Sequence, residues 1–250
     1  MARSRSSKLR SRAGLVVALF ASLVGGVAPA SAANWFINVD APAAALEDFH
    51  RDFAAAVYPY PGHGAKPLGW VGFEIYVDAS YSHEFGSFEG PLGAIGGNLP
   101  GGILSVARVG VRKGLPLGFD LEATYGRALD SDLNMVSGTV QWALLDGSTV
   151  TPALAFRLTG SQSTGVAYYR LRQLGAEAVL SKGFPVVTPY LGAGLVRSES
   201  HFTFADGKDV GSTDPIFFGG VTLNLLIPKI NLELQKGRGF QATLKLGFGL

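Results

Sequence analysis

The sequence contains no cysteine, so no disulfide bond can contribute to its stability. Charged residues are also scarce, at 16%, while 47% of the residues are hydrophobic, and this balance excludes an intrinsically disordered chain. Long stretches rich in alanine, glutamate, lysine and leucine, which are typical of helical proteins, are lacking. The 34 glycines and the aromatic content of 11% instead favour many short strands joined by tight turns. An all-β fold is therefore predicted.

Residues 1–32 have the features of a secretory signal peptide. Basic residues precede a run of sixteen apolar or small residues, and Ala30-Ser31-Ala32 then forms the small-x-small pattern that signal peptidase cleaves. A membrane anchor is the alternative, but the run is shorter than the roughly 20 residues that a spanning helix needs. We therefore expect export and cleavage after residue 32.

Removal of this segment reverses the net charge of the chain. Five of the 21 basic residues and none of the 19 acidic residues lie in it, so 16 basic and 19 acidic residues remain, a net charge of −3. No basic stripe is left on the remainder, and nucleic-acid binding is therefore not expected.

Alternation of apolar with polar or glycine residues, at a period of two, runs through most of the chain from residue 68 onward. Val71, Phe73, Ile75 and Val77 show the pattern in the first segment, and the final segment, FQATLKLGFGL, shows it without interruption. The ten segments of this kind are 68–82, 103–113, 117–128, 133–145, 150–161, 166–182, 187–200, 215–226, 229–236 and 240–250. Each is predicted to form a strand with one apolar and one polar face.

The predicted connections differ in length. Those after even-numbered segments are short and rich in turn formers (KGLPLG, LDGSTVT, KGFPVV and IPK), while 83–101 and 201–214, after odd-numbered segments, are longer. Outer-membrane barrels show this asymmetry, with short periplasmic turns and longer outer loops. The sequence therefore predicts an antiparallel up-and-down transmembrane β-barrel of about ten strands over 68–250, with eight or twelve strands as alternatives.

The segment FQATLKLGFGL resembles the C-terminal assembly signal of bacterial outer-membrane β-barrel proteins, although Leu250 stands where the signal usually has an aromatic residue. The resemblance implies the outer membrane of the Gram-negative cell envelope as location, and outer-membrane lipid and the barrel assembly machinery as partners. A soluble β-sandwich or lipocalin-like barrel is the alternative, because its strands also alternate. The apolar faces carry almost no charge at mid-segment, which favours lipid contact, since Arg or Lys costs about 2–4 kcal/mol at mid-bilayer.

Strand parity places a mixed set of charged residues in the predicted lumen. These are Glu74, Asp78, Arg108, Arg112, Asp120, Glu122, Arg157, Glu177, Glu233 and Lys245. They can form either the lining of an ion-selective pore or a salt-bridged network that fills the interior. An interior only slightly wider than that of an eight-stranded barrel favours the filled network. No catalytic, cofactor-binding or metal-binding residue is assigned, and no cofactor is expected.

An amphipathic helix is predicted for residues 43–57, within an N-terminal segment that spans 33–67. Leu46, Phe49 and Phe53 fall near one face, and Pro59 and Pro61 end the helix. Placement on the inner leaflet or over the periplasmic mouth is favoured. A plug within the lumen and contact with a partner protein are the alternatives.

Two sets of rim residues are similar to those of lipid-modifying barrel enzymes. His83 after the first segment and Asp130-Ser131 after the third resemble the residues of the lipid A palmitoyltransferase family, whose barrel has eight strands. Ser200-His201 is similar in residue types to the serine and histidine of outer-membrane lipid A deacylases, with a different spacing. These resemblances imply a lipid A acyltransferase-like enzyme as the alternative function. The main prediction is a non-enzymatic outer-membrane barrel, either structural or a narrow pore for small or hydrophobic solutes.

Overall fold

A computed structural model describes residues 43–83, 104–129, 131–148, 150–166, 168–203, 207–225 and 228–249. These residues form one α-helix, one 3-10 turn at Pro116–Gly118 and ten strands. The helix, α1, spans Ala43–Val57. The strands are β1 (Phe73–His83), β2 (Leu104–Gly114), β3 (Phe119–Ala128), β4 (Asn134–Leu145), β5 (Ala153–Thr164), β6 (Tyr169–Ser181), β7 (Val187–Phe202), β8 (Lys208–Asn224), β9 (Pro228–Lys236) and β10 (Phe240–Gly249). No helix in these ranges is long and apolar enough to cross a membrane.

The ten strands form a closed barrel in which each strand pairs antiparallel with its neighbours in the chain. The barrel closes where β1 pairs with β10, from Glu74 opposite Gly249 to His83 opposite Phe240. Because every strand has a partner on both sides, no row of backbone donors and acceptors is left at an edge. The predicted closed antiparallel barrel of about ten strands is thereby confirmed.

Two predicted boundaries are wrong. The first strand begins at Phe73 and not at residue 68, since the Leu68 amide still donates to Oδ1 of Asp120 on the inner wall (3.1 Å). The predicted long connection 201–214 is mostly strand, because β7 continues to Phe202 and β8 begins at Lys208, directly opposite it. Polar residues that indicated a loop lie instead on a paired extension of the barrel wall. The other long connection, 84–103, lies outside the described residues.

The two ends of the barrel differ in what they contain. The base is the end at which β1 begins and β10 ends, and the helix end is the opposite one. At the helix end, Ser82 donates to the carbonyl of Ala56 in α1 (2.8 Å), and Arg238, between β9 and β10, contacts Asp48 (3.2 Å) and Asp52. Residues 58–68 then run through the lumen to the base. The plug, defined as residues 43–68, therefore lies inside the barrel, and the favoured placement of the helix on the inner leaflet or over the periplasmic mouth is wrong.

The inner and outer faces of the wall have opposite polarity. Outward-facing residues in the middle of the strands are apolar and exposed, whereas inward-facing ones are buried and mostly polar. The apolar belt is defined by Ile75, Val77, Val109, Val111, Leu121, Val140, Phe156, Leu158, Leu174, Leu195, Phe217, Leu232 and Leu234. A soluble barrel has the reverse arrangement, with its apolar side chains in the interior.

Apolar packing inside the barrel is concentrated at the helix end. The buried face of α1, with Leu46, Phe49 and Phe53, packs against inward-facing Leu104 and Leu171 and their neighbours. A second apolar cluster fills the middle of the lumen around the tyrosines that follow the helix. These clusters tie the plug to the wall, because each buries apolar surface from both.

Candidate functional site

The lumen is the candidate functional site. The structure places all ten charged residues predicted for it on the inner face, and none is more than 7% exposed. Several of them form ion pairs between neighbouring strands. Arg108 Nε donates to Asp78 Oδ1 (2.7 Å), and these two residues are direct register partners on β2 and β1. Charges of the wall are thus compensated largely within the wall, as burial requires.

A second ion-paired group lies near the base. Glu74 on β1 is paired with Lys229 on β9 (3.2 Å) and approaches Lys245 on β10 (3.9 Å). Lys245 Nζ also lies 3.5 Å from the centre of the Tyr76 ring, a cation–π geometry. Each buried ammonium or carboxylate therefore has more than one stabilising neighbour.

Side chains of the wall hold the backbone of the plug. An extended segment without strand neighbours leaves its carbonyl groups without partners, and buried carbonyls need them. Four wall side chains donate hydrogen bonds to carbonyls of the plug. Lys245 donates to Pro61 (2.8 Å), and Arg157 donates to His63 and to Gly64 (3.3 Å). Gln141 donates to Ala65 (3.2 Å), and Arg112 donates to Lys66 (3.3 Å). Three of the four cationic side chains that were predicted for the lumen thus act as donors to the plug, and the fourth, Arg108, is paired within the wall.

Arg157 joins the plug to three strands. Its Nε donates to Oε1 of Gln141 on β4 (2.8 Å), and its Nη1 lies 3.8 Å from Oε2 of Glu177 on β6. Its Nη2 lies 3.0 Å from Nδ1 of His63, whose Nε2 is 3.1 Å from Oε2 of Glu122. The guanidinium is almost fully buried between the plug and the wall.

Glycines on the inner wall make room for tyrosine rings. The Tyr58 hydroxyl donates to Oε1 of Glu177 (2.7 Å), and a Cβ added to Gly175 would lie 1.8 Å from that hydroxyl oxygen. On the wall itself, a Cβ at Gly110 would lie 2.2 Å from the Tyr76 ring. The sites of these two glycines therefore exclude any larger residue while the rings stay in place.

The helix is held at its end by hydrogen bonds to β6 and β1. The carbonyl of Ala54 accepts from Nε2 of Gln173 (2.8 Å) and that of Ala56 from Ser82 (2.8 Å). Carbonyls in the last turn of a helix lack partners within the helix, so these two side chains supply them.

His50 lies at the helix end, beyond the apolar belt. Its ring nitrogens are 2.5 Å from Oγ of Ser200 and 3.2 Å from Oγ of Ser212, on β7 and β8. Burial is the main cause that lowers the pKa of His50 to about 4; Asp214 opposes the shift and Arg51 contributes to it. His50 is therefore neutral at pH 7 and belongs to the packing of the plug.

One open space adjoins the plug at the base. A cavity of about 440 Å³ is lined by plug residues, including His63 and Lys66, and by wall residues, including Glu74, Arg112 and Lys229. Plug residues 62–64 all contribute to this lining. The cavity is a vestibule at one mouth of the barrel.

The rim residues that are similar to those of lipid-modifying enzymes do not come together in the described structure. Ser200 faces inward and is 1% exposed, while His201 faces outward and pairs with Asp209 (2.5 Å). Ser131 is 4% exposed and its hydroxyl accepts from the Leu133 amide (3.1 Å), whereas His83 is exposed. Asp130 lies outside the described residues. No group of three or more potential metal ligands occurs in the described ranges.

Sequence reasoning gave the plug only as an alternative placement of the helix, although the wall carries a signal for it. At the helix end, inward positions that should be polar in a water-filled lumen are instead apolar, as at Leu104, Val106, Leu133 and Met135. Apolar side chains on the inner face indicate an apolar body within that end of the barrel.

No protein-family model matches the chain, and no curated protein sequence matches it. Solved structures with a similar fold are barrels. The N-terminal barrel domain of OprF from Pseudomonas aeruginosa is 14% identical, with a TM-score of 0.32, over 71% of this chain and 97% of that one. The KdgM porin is 9% identical, with a TM-score of 0.36, over 69% and 98%. LpxR from Salmonella typhimurium is 12% identical, with a TM-score of 0.37, over 71% and 99%. Similarity at this level carries no substrate or activity to this chain, and the fold rests on its own strand pairing.

Proposed function

We propose that this protein is a bacterial outer-membrane β-barrel whose lumen is closed by its own N-terminal plug, and that its role is structural and non-enzymatic. The observation that carries the proposal is the position of residues 43–68 inside the barrel, with Phe53, Tyr58 and Arg157 all at most 1% exposed. A lumen filled in this way has no continuous aqueous path past Arg157.

The apolar belt supports a membrane location. Large exposed apolar patches on soluble proteins are rare, and a belt that surrounds a barrel needs hydrocarbon or another protein to cover it. Closed barrels are one of the two structures that satisfy every backbone polar group within lipid. An even number of strands brings both ends of the barrel domain to one side, which is the periplasm in barrels of this kind, so the base is periplasmic and the helix end faces outward.

The contacts of the plug support a closed resting state. Arg157, Arg112 and Lys245 each donate to a backbone carbonyl of the plug. Hydrogen bonds from charged groups contribute about 1.5–3 kcal/mol each, and the apolar packing of α1 adds to them. Release of the plug would break all of these contacts together and expose buried charges, so the narrow-pore alternative requires a large rearrangement.

Planar-bilayer recording of the refolded protein tests the proposal. We expect no channel steps from the wild type, and stepwise currents from a variant that lacks residues 43–66. Heat-modifiable migration on a gel checks that both proteins are folded barrels. Stable channel steps from the wild type would overturn the closed state.

A second variant keeps the test decisive if the deletion does not fold. Gly64→Cys with Ser181→Cys places two thiols where the plug meets β6, since a Cβ at residue 64 would lie 2.9 Å from that of Ser181. The natural chain has no cysteine, so a bond between the two is unambiguous. Rapid cross-linking in cells, without loss of the folded form, is expected for a plug that stays in the lumen, and absence of cross-linking would contradict it.

The burial of Ser131 and the opposite orientations of Ser200 and His201 support the non-enzymatic interpretation. Mass spectrometry of lipid A from cells with and without the protein checks it. Identical acylation patterns are expected, and an acyl chain gained or lost only when the protein is present would establish the lipid-modifying alternative.

A further inference from the structure

Charged side chains face outward on β6, β7 and β8 at the helix end. Their three arginines are accompanied by two acidic residues and a histidine, and they surround a shallow depression of about 590 Å³. The arginine patch is defined as Arg170, Arg172, Arg197, Glu199, His201 and Asp209. The extension of β7 and β8, which the sequence suggested to be a loop, forms part of this surface.

The acidic residues of the patch already have partners. Glu199 is bound by Arg197 (2.9 Å) and Asp209 by His201 (2.5 Å). Within the described part of the chain, neither Arg170 nor Arg172 has a hydrogen bond or an ion pair. Glu199 is the register partner of Arg172 but its ion pair is with Arg197, so the patch presents two neighbouring guanidinium groups that are not engaged in an ion pair within the described residues.

The patch lies directly beyond the apolar belt. Arg170, Arg172 and Leu174 succeed one another on the outward face of β6, at a spacing of about 7 Å along the strand. Leu174 is opposite Arg197 on β7. Leu195 lies two residues before Arg197 on the same face of β7, on the side towards the apolar belt. A molecule bound to the arginines is thus in contact with apolar wall on one side and with water on the other.

Guanidinium groups bind phosphate through a planar pair of donors, and cationic side chains at a membrane surface attract anionic lipids. In the membrane, acyl chains cover Leu174 and Leu195, so a lipid whose phosphate lies at the headgroup level reaches the arginines while its own chains lie on both leucines. We propose that the arginine patch binds the phosphorylated headgroup of a glycolipid in the outer leaflet, with its acyl chains on the apolar belt below β6 and β7. This inference rests on the proposed outer-membrane location with the helix end outward.

Native mass spectrometry of the detergent-refolded protein tests the patch directly. Diphosphoryl lipid A, dephosphorylated lipid A and inorganic phosphate are each added to the wild type and to the double variant Arg170→Gln, Arg172→Gln. We expect the wild type to retain one diphosphoryl lipid A, and the double variant to bind it roughly twenty-five-fold more weakly, about fivefold for each arginine. Inorganic phosphate at equal concentration should not displace the lipid, because it has no acyl chains.

Arg127→Gln is the matched control. Arg127 also faces outward at the helix end, but it is paired with Asp132 (3.4 Å) and is not part of the patch. The Arg127→Gln variant should bind diphosphoryl lipid A with the same affinity as the wild type. Equal binding by the wild type and the double variant, equal binding of the dephosphorylated lipid, or full displacement by inorganic phosphate would each overturn the proposal.

Failure of the proposed function is a separate result. Membrane fractionation of cells reports the outer-membrane location, while the binding assay uses purified protein. A protein that binds the phosphorylated lipid in detergent but fractionates elsewhere would refute the location and not the chemistry of the patch.

Discussion

Tyr58 of the plug and Gly175 of β6 are in direct apposition, since a Cβ at position 175 would lie 1.8 Å from the tyrosine hydroxyl oxygen. The same hydroxyl donates to Glu177 two residues further along β6, at 2.7 Å. Tyr58 therefore occupies the space that a side chain at position 175 would fill, and this contact fixes the position of the plug relative to β6.

The Gly175→Ala variant should loosen the plug. Its methyl group displaces Tyr58 and leaves Glu177 without this donor, and overpacking of this kind costs about 1–3 kcal/mol. Urea unfolding of the refolded protein should show the loss, and bilayer recording should show channel events. Gly160→Ala is the control, because nothing lies within 4 Å of a Cβ at that position on the neighbouring strand. If Gly175→Ala and Gly160→Ala have the same free energy of unfolding and neither shows channel events, the contact between Tyr58 and Gly175 is contradicted.

The Val140→Arg variant tests contact of the apolar belt with lipid. Val140 faces outward in the middle of β4, so an arginine there should destabilise the barrel in lipid vesicles by about 2–4 kcal/mol. Equilibrium folding into vesicles measures the difference. Val150→Arg serves as control, since Val150 is 83% exposed in the connection at the base. If both substitutions have the same small effect, hydrocarbon does not cover the belt.

Single-cysteine labelling tests the direction in which the plug crosses the barrel. Glu47 is exposed at the helix end and Ser148 is exposed at the base, and the natural chain has no cysteine to interfere. A membrane-impermeant maleimide should label Glu47→Cys on intact cells, but Ser148→Cys only after the outer membrane is permeabilised. The reverse pattern would show that the base faces outward, and labelling of neither in intact cells would place both sites in the periplasm.

Acid should weaken the attachment of the helix through His50. The pKa of this histidine is about 4 in the folded protein, against about 6.5 in an unfolded chain, so the unfolded state binds the proton first. The free energy of unfolding should therefore fall as the pH drops from about 6.5 towards 4. Thermal unfolding at pH 7 and pH 4.5 should show a smaller decrease for His50→Gln than for His83→Gln, whose histidine is exposed. Equal decreases in these two variants would contradict the burial of His50.

The barrel itself was predictable because its signals are local. Period-two alternation needs only neighbouring residues, so Val77 and Asp78 were assigned to opposite faces before any pairing was known. The same parity placed Arg157 and Glu177 inside. Local signals failed at 201–214, where outward polar residues such as Asp209 mark the end of the belt and not the end of a strand.

The amino-acid sequence alone determined that the chain forms alternating strands, that charges in the middle of these strands point to one face, and that a helix precedes them. Only the tertiary structure decided that the helix enters the lumen, and that Arg157 and Lys245 bind the backbone of the extended segment that follows the helix. The physical reason is that the apolar face of an amphipathic helix can be buried equally well by lipid, by another protein or by the inside of the barrel. Which surface it finds depends on residues such as Leu104 and Leu171, which become neighbours only when the barrel closes.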